Sequence, residues 1–560
     1  MKSWSFKKTF LLLLLIWFLI NLIQALFMEI MSDEAYYGLY GKYLSWGYYD
    51  HPPMVALLIK ISSVIFKGNP GIRFMTLLLQ LGTLLIIWKI IDLKDPDSTG
   101  VITFFIIAGS IVMFSAYGII TTPDAPLLFF TALFLYAYKK FLFKQKWSTV
   151  LLLSVSMAGL IYSKYQAVLV IGFVVLSNLQ LLKMLKFWLA GILALILLGP
   201  HILWQFANDF PGFQYHLVDR SQDFRLKYFL EYLPNQLAVF NPLTFGAVIY
   251  VLIKYRPADK FTRSLYLLII GFIGFFWLTA FRGHVEPHWT IACSIPMIIL
   301  LSDRSCENQK LFRFTRKYLF PSILLLIALR IFLMTNLPLN AELGFSGKKE
   351  RYKQIESVAG DLPVVFTGSF QQPSLYTFFT GKDATVISSV FTRQTQFDIL
   401  QLEKQFHNKP ALVCVKADGM SQPYGTGRLQ FDAFKTNSLQ TVNRMKITFR
   451  SDQETFQSGD SIYVPFTLRN LYKYSIDFNH TKFPVEVCMV FIRGENIIVQ
   501  QASLSEPVTT ISEGMTLERM LTGVIPVVAG GEYQFGICLN TLFGPSLNSH
   551  FVKIKIVNND

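Results

Sequence analysis

The feature that most constrains this chain is a train of apolar stretches of membrane-spanning length that fills the first 340 residues and then stops. The first, Thr9 to Met28, follows Lys7 and Lys8. It is long for a signal-peptide core and no small-residue cleavage site follows, so it reads as an uncleaved span. Ten further runs lie at about 72–91, 100–120, 125–138, 148–163, 166–182, 187–206, 237–253, 264–281, 290–302 and 318–336. The sequence therefore predicts a polytopic α-helical membrane protein with about eleven spans.

Charge supplies the topology. The net charge of +15 would suggest a nucleic-acid partner in a soluble protein. Here, however, 30 Lys and Arg against 16 Asp and Glu fall in residues 1–340, and 21 against 20 fall after them. With the N-terminus inside, twenty basic residues, among them Lys89, Lys94, Lys139 and Lys140, sit on inner segments. Only eight sit on outer loops: Lys42, Lys60, Lys67, Lys164, Arg220, Arg225, Lys227 and Arg282. This asymmetry makes the basic side cytoplasmic, and an odd number of spans places everything after Asn336 outside.

The outer loops are unusual. The first, 29–71, is rich in Tyr and Trp, and its stretches Ala35–Trp46 and Met54–Phe66 are expected to be interfacial helices. A second long loop runs from Ala207 to about Gln236. Beyond the membrane half, 341–440 reads as a small α/β domain. Its helices are expected at Lys348–Ala359, Pro373–Thr380 and Gln396–Phe406, and its strands at 363–368, 384–389 and 411–416. No glycine fingerprint follows these strands, which argues against a nucleotide cofactor. Residues 441–560 alternate in short strand-like runs and are expected to form a β-sandwich. Cys488 and Cys538 fall in separate strands of it and are expected to be two lone buried thiols, with pairing as the alternative.

Ionisable residues beside a bilayer are costly, so their placement is informative. Asp33 and Glu34 follow the first span, and Asp50-His51-Pro52-Pro53 ends the first interfacial helix. Asp124 sits in the tight link "TTPDAP", Lys164 and Tyr165 in another, and Arg282, His284, Glu286 and His288 in "RGHVEPHW". Any one of these residue types at a helix end is most simply a cap or an anchor. Their coincidence on one membrane face is what points to a site. A carboxylate there can accept the proton of an attacking hydroxyl. Lys164, Arg282 and His51 can hold an anionic leaving group, and Tyr36, Tyr37, Tyr48 and Tyr49 can stack on a sugar. With no nucleotide loop, the energy has to arrive in the donor, and a lipid-phosphate sugar meets that requirement. A divalent cation is a possible cofactor with Asp33, Asp50, Asp124, His284, Glu286 and His288 as candidate ligands, although Pro287 breaks the helix that would align the two histidines.

Four elements carry a family resemblance: Asp33-Glu34, Tyr49-Asp50-His51-Pro52, "TTPDAP" and Ser163-Lys164-Tyr165. Over about residues 9–340 the chain resembles the polyprenyl-phosphate-dependent C-type (GT-C) integral-membrane glycosyltransferases, in the branch of protein O-mannosyltransferases and lipid A aminoarabinose transferases. The resemblance implies a periplasmic site beneath the first outer loop and inverting transfer from undecaprenyl phosphate to lipid A, an envelope glycan or a protein. It implies Asp33 as principal catalytic carboxylate, with Asp50 and Asp124 near the acceptor or a bound cation. Lys164 and His51 would contact the donor phosphate, although the aminoarabinose-type enzymes have lysine where this chain has His51. The expectation is thus a bacterial inner-membrane glycosyltransferase with catalytic Asp33, Glu34 and Asp124. Its donor would be bound by Tyr37, Tyr49, Asp50, His51, Lys164, Tyr165, Arg282 and His284. The alternatives are a lipid-linked glycan polymerase or ligase using a diphosphate donor, or a transporter.

Overall fold

The computed structural model describes residues 2–91, 97–215, 225–417, 419–450, 453–494 and 496–558. Lys94 and Arg220 of the charge argument, and the middle of the second long outer loop, lie outside the described residues. The chain divides into two compact units, Met1–Lys348 and Lys349–Asp560.

The first unit is helical throughout. Five helices are each long and apolar enough to cross a membrane: Phe6–Phe27, Gly68–Ile91, Asp124–Phe143, Leu185–Ala207 and Lys260–Arg282. Many of their large apolar side chains, such as Leu11, Leu15, Leu195, Leu203 and Leu278, are exposed, which suits hydrocarbon and not water. This is a multi-pass membrane protein. Five long spans, or six if the bent pair counts as one, are distinguished by length and apolarity among the described residues, and several of the other expected spans are shorter helices. Ser98–Ser110, Trp147–Ser163 and Tyr165–Ser177 are shorter apolar helices. The run at 237–253 is interrupted: helices Leu226–Phe240 and Pro242–Lys254 meet at a 101° bend. Pro242 has no N–H to give and disfavours helical geometry at the residue before it. Asn241 accordingly takes φ 69°, accepts a hydrogen bond from Leu243 N at 3.0 Å and donates to Ser110 O at 3.1 Å and Ser322 Oγ at 2.9 Å. The segment after the first span folds into helices Ser32–Lys42 and Met54–Ile65, close to where the sequence placed them.

Charge buried among these helices is satisfied locally. Arg330, in helix Phe320–Leu333, donates to Asn21 Oδ1 at 2.6 Å, Ser115 Oγ at 3.3 Å and Gln24 Oε1. The rest of that helix buries no side chain, as expected of a lipid-facing element.

The second unit holds two sheet systems. Parallel strands Ala384–Ile387, Val364–Thr367 and Ala411–Cys414 are extended by antiparallel strands Phe431–Thr436 and Gln422–Tyr424, which the sequence did not disclose. Helices Lys348–Ala359 and Gln371–Thr380 formed as expected. Gln396–Phe406 did not form one helix: it ends at Leu400, Gln401 turns left-handed at φ 51°, and a 3-10 turn spans Leu402–Gln405. Beyond Val442 two antiparallel-rich sheets share one core. One orders strands 496–501, 486–493, 531–541, 552–557 and 455–457; the other orders 503–504, 516–524, 461–470 and 445–449. Alternation along Ser461–Asn470, exposed then buried at successive residues, puts Ile462, Val464, Phe466 and Leu468 inside. Cys488 and Cys538 are directly opposed across two of the strands as buried free thiols.

Candidate functional site

The site is assembled by helix ends. Pro123 occupies the N-cap position and Asp124 opens helix Asp124–Phe143, where the amide dipoles favour an anion. Lys164 closes helix Trp147–Ser163, where they favour a cation. The two ends lie side by side: Lys164 Nζ donates to Asp124 Oδ1 at 2.7 Å, with both side chains only 3% exposed. His288 Nε2 stands 3.8 Å from the other oxygen, Oδ2, and its ring packs edge-on to Tyr117 at 6.0 Å.

A second cluster forms in the loop after the first span. Tyr40 donates to Asp50 Oδ1 at 2.5 Å and stacks on Tyr48 at 4.0 Å, almost parallel. Tyr48 OH in turn donates to Tyr40 O at 3.0 Å. Tyr37 packs edge-on to His51 at 5.6 Å and to Tyr40 at 5.5 Å. Burial, and then the charges of Asp33, Asp50 and Asp124, push the Tyr37 hydroxyl well above its ordinary range. One phenol thus sits in the field of three of the predicted carboxylates. Tyr49 is buried and packs 5.7 Å from Tyr215, and Asp33 is exposed at the start of its helix.

The neighbour of Asp33 is differently employed. Glu34 is fully buried and its carboxylate accepts four N–H groups. Arg73 Nε at 2.8 Å and Thr121 N at 2.9 Å reach Oε1; Arg73 Nη2 at 2.6 Å and Met31 N at 3.0 Å reach Oε2. Arg73 also donates to the carbonyls of Ala25, Met28 and Glu29, at the end of the first span. All four lone-pair directions of Glu34 are occupied, so it ties the first span, helix Gly68–Ile91 and the "TTPDAP" link together. Arg73 was missed by the sequence reading because it falls at the start of an apolar span; an arginine in such a run was the available signal.

Tyr165 belongs to a third set, also missed in part. Gln205 Nε2 donates to its hydroxyl at 2.6 Å, and His201 Nε2 lies 3.3 Å from that oxygen. His201 Nδ1 is 2.6 Å from Trp46 O. Pro200-His201 inside an apolar span was the available hint. Helix Leu185–Ala207 also reaches the first outer loop at Trp204, against which Gly47 packs so closely that an added Cβ would lie 2.2 Å from the indole.

Arg282 and His284 are exposed on the link before Pro287. His284 Nε2 lies 3.7 Å from Glu286 Oε2 and its ring packs on Tyr228, so neither residue joins the Asp124–Lys164 pair by a contact among the described residues. The candidate metal ligands do not converge either. Asp124 gives one oxygen to Lys164, His284 faces Glu286, and among the described residues no three His, Cys, Asp or Glu close on a point that could hold a metal ion.

Comparison with known proteins fits this architecture. Residues 50–204, which include Asp50, His51, Asp124, Lys164, Tyr165 and His201, match the family described as dolichyl-phosphate-mannose-protein mannosyltransferase. The match to that family covers a little over a quarter of the chain, and the likeness of the chain to the solved structures below is one of fold. Among individual proteins, the chain is similar to the lipid A galacturonosyltransferase RgtD of Rhizobium johnstonii, 24% identical over 49% of this chain and 60% of that protein. The chain therefore spans about 60% of the length of that curated relative. Its fold matches crystal structures of ArnT from Cupriavidus metallidurans. The apo form superposes at a TM-score of 0.56 and 13% identity, covering 78% of this chain and 98% of ArnT. The form bound to undecaprenyl phosphate superposes at 0.52 and 12% identity, covering 76% and 97%.

Proposed function

We propose that this chain transfers a sugar from a polyprenyl monophosphate donor to a lipid A-type acceptor on the outer face of a bacterial inner membrane. The observation that carries the reading is the buried Asp124–Lys164 pair with His288 beside it, in the same electrostatic neighbourhood as Asp33 and Asp50. Two likenesses support donor and acceptor: one structural neighbour was crystallised with undecaprenyl phosphate, and a sequence relative is named for transfer to lipid A.

In this reading Asp33, the exposed carboxylate, orients the acceptor hydroxyl and takes its proton as the glycosidic bond forms at the anomeric carbon. The sugar–phosphate bond breaks and the lipid phosphate leaves. Lys164 has two further N–H donors beyond the one given to Asp124, and these meet the phosphate charge as it develops. Asp124 positions that ammonium. His51 and His288 supply further donors, and Tyr37, Tyr49 and Tyr165 line the sugar. Arg282 attracts the lipid phosphate from the exposed rim. Glu34, with every lone pair engaged, acts as a positioning residue that holds Asp33 at the helix start. The inner-face basic loops keep the N-terminus cytoplasmic and the second unit periplasmic.

The test is transfer in membranes supplied with polyprenyl-monophosphate sugar and, in a second arm, with the diphosphate. Asp33→Asn is expected to lower turnover by about a hundredfold or more, with the monophosphate as the working donor. Undiminished transfer by Asp33→Asn would overturn the role of Asp33, and turnover with the diphosphate alone would overturn the donor.

A further inference from the structure

The second unit contains a cavity of about 160 Å³ with no part in the scheme above. It opens at the carboxyl end of the parallel strand Ala384–Ile387, the edge at which open α/β sheets bind ligands. Its lining is partly apolar, from Ile387 and Leu547, and mostly polar, with Ser388, Gln401, Glu403, Asn443 and Arg444.

The lining is built, not incidental. Asp398, also at the cavity, braces it by accepting from Ser388 Oγ at 3.0 Å and from Thr395 N at 2.7 Å and Oγ1 at 3.0 Å. Asn443 Nδ2 donates to Ser388 O at 2.7 Å, while its buried Oδ1 has no partner among the described residues. Glu403 is 7% exposed yet forms no ion pair among the described residues. Gln401 adopts left-handed geometry that glycine would take more cheaply, and so places an amide in the lining.

The chemistry of this lining excludes most ligand classes. Its carboxyl groups disfavour an anion such as phosphate. The Arg444 guanidinium and the saturated Asp398 Oδ2 disfavour a metal ion. The volume is too small for a peptide or a nucleotide. What remains is a small uncharged ring with one C–H face and hydroxyls around its edge, able to donate to Glu403 and Asn443 and accept from Arg444 and Gln401. Burial raises the Glu403 carboxyl to about 7, so near neutrality it serves as donor or acceptor.

We propose that this cavity is a saccharide subsite that takes one neutral pyranose residue of an envelope glycan, independently of the transfer reaction. The probes are methyl glucoside, methyl galactoside and N-acetylglucosamine, with the full chain in lipid nanodiscs free of glycoside detergent. Saturation-transfer NMR is expected to show binding of at least one probe, with the strongest transfer to the protons of one ring face. Gln401→Gly relieves its backbone and should leave the fold intact, while weakening that binding about tenfold. Glu403→Gln should weaken it similarly. Failure of all three probes to bind the wild-type chain, or binding unchanged in both variants, would overturn the proposal. Retention of calcium alone at this cavity would overturn it as well.

Discussion

Asp124 and Lys164 meet at 2.7 Å with almost no solvent access, although forty positions separate them. Each sits at the helix end whose dipole suits its charge. Their union converts two local capping preferences into one buried pair, with His288 against the remaining carboxylate oxygen.

Removing one partner of such a pair leaves an uncompensated buried charge, at a cost of about 3–5 kcal/mol. Lys164→Met is therefore expected to lower both thermal stability and transfer. The double variant Asp124→Asn/Lys164→Met should recover stability but not transfer. Detergent-extract melting by fluorescence size-exclusion chromatography, run beside the membrane transfer assay, separates the two. A double variant as unstable as the single one would show that the charges are not coupled.

Arg73→Lys keeps the charge but loses the fork that grips both oxygens of Glu34 and three carbonyls. The expected outcome is a destabilisation of about 2–4 kcal/mol, with transfer per folded molecule changed far less than by Asp33→Asn. A normal melting temperature with abolished transfer would reassign Arg73 to direct substrate contact.

Tyr40→Phe removes the 2.5 Å hydrogen bond to Asp50 while keeping the stack on Tyr48. Loss of a hydrogen bond to a charged group costs about 1.5–3 kcal/mol. The effect should appear as a higher KM for the donor, since Asp50 loses the hydrogen bond that holds Oδ1 against Tyr40. Unchanged steady-state kinetics would show that Asp50 does not need this tether.

In the second unit, His407 is buried against Tyr474 at 3.5 Å, and neither ring nitrogen has a partner among the described residues. Burial lowers it to about 3 from an ordinary value of 6.5. The unfolded chain therefore binds the proton first, and stability falls as pH drops below about 6.5, by about 2 kcal/mol at pH 5. His407→Phe preserves the stack and removes the titration. Hydrogen exchange of peptides covering 402–414 should lose its acid-side acceleration in the variant, and an unchanged pH profile would refute the assignment.

The sequence made much of this legible because the dominant signals are local. Apolar length placed the helical half, Pro123 and Pro126 kept the Asp124 link short, and short runs divided by turn residues marked the strands beyond residue 441. What escaped were pairings over distance. Glu34 looked like a free carboxylate beside Asp33 until Arg73, thirty-nine positions on, closed over it. His201 looked like part of a span until Trp46 and Tyr165 met it. The run at 237–253 looked continuous because hydropathy does not register the loss of one N–H at Pro242.

By itself, then, the sequence determined where this chain is apolar enough to meet a membrane, which links between apolar runs carry its acids and cations, and where strands replace helices. Each of those follows from solvation and from backbone preferences that act within a few residues. Only the tertiary structure decided which charges are partners, which carboxylate is saturated and which stays exposed. Those outcomes depend on side chains from distant parts of the chain meeting at helix ends, 2.7 and 3.8 Å apart at Asp124.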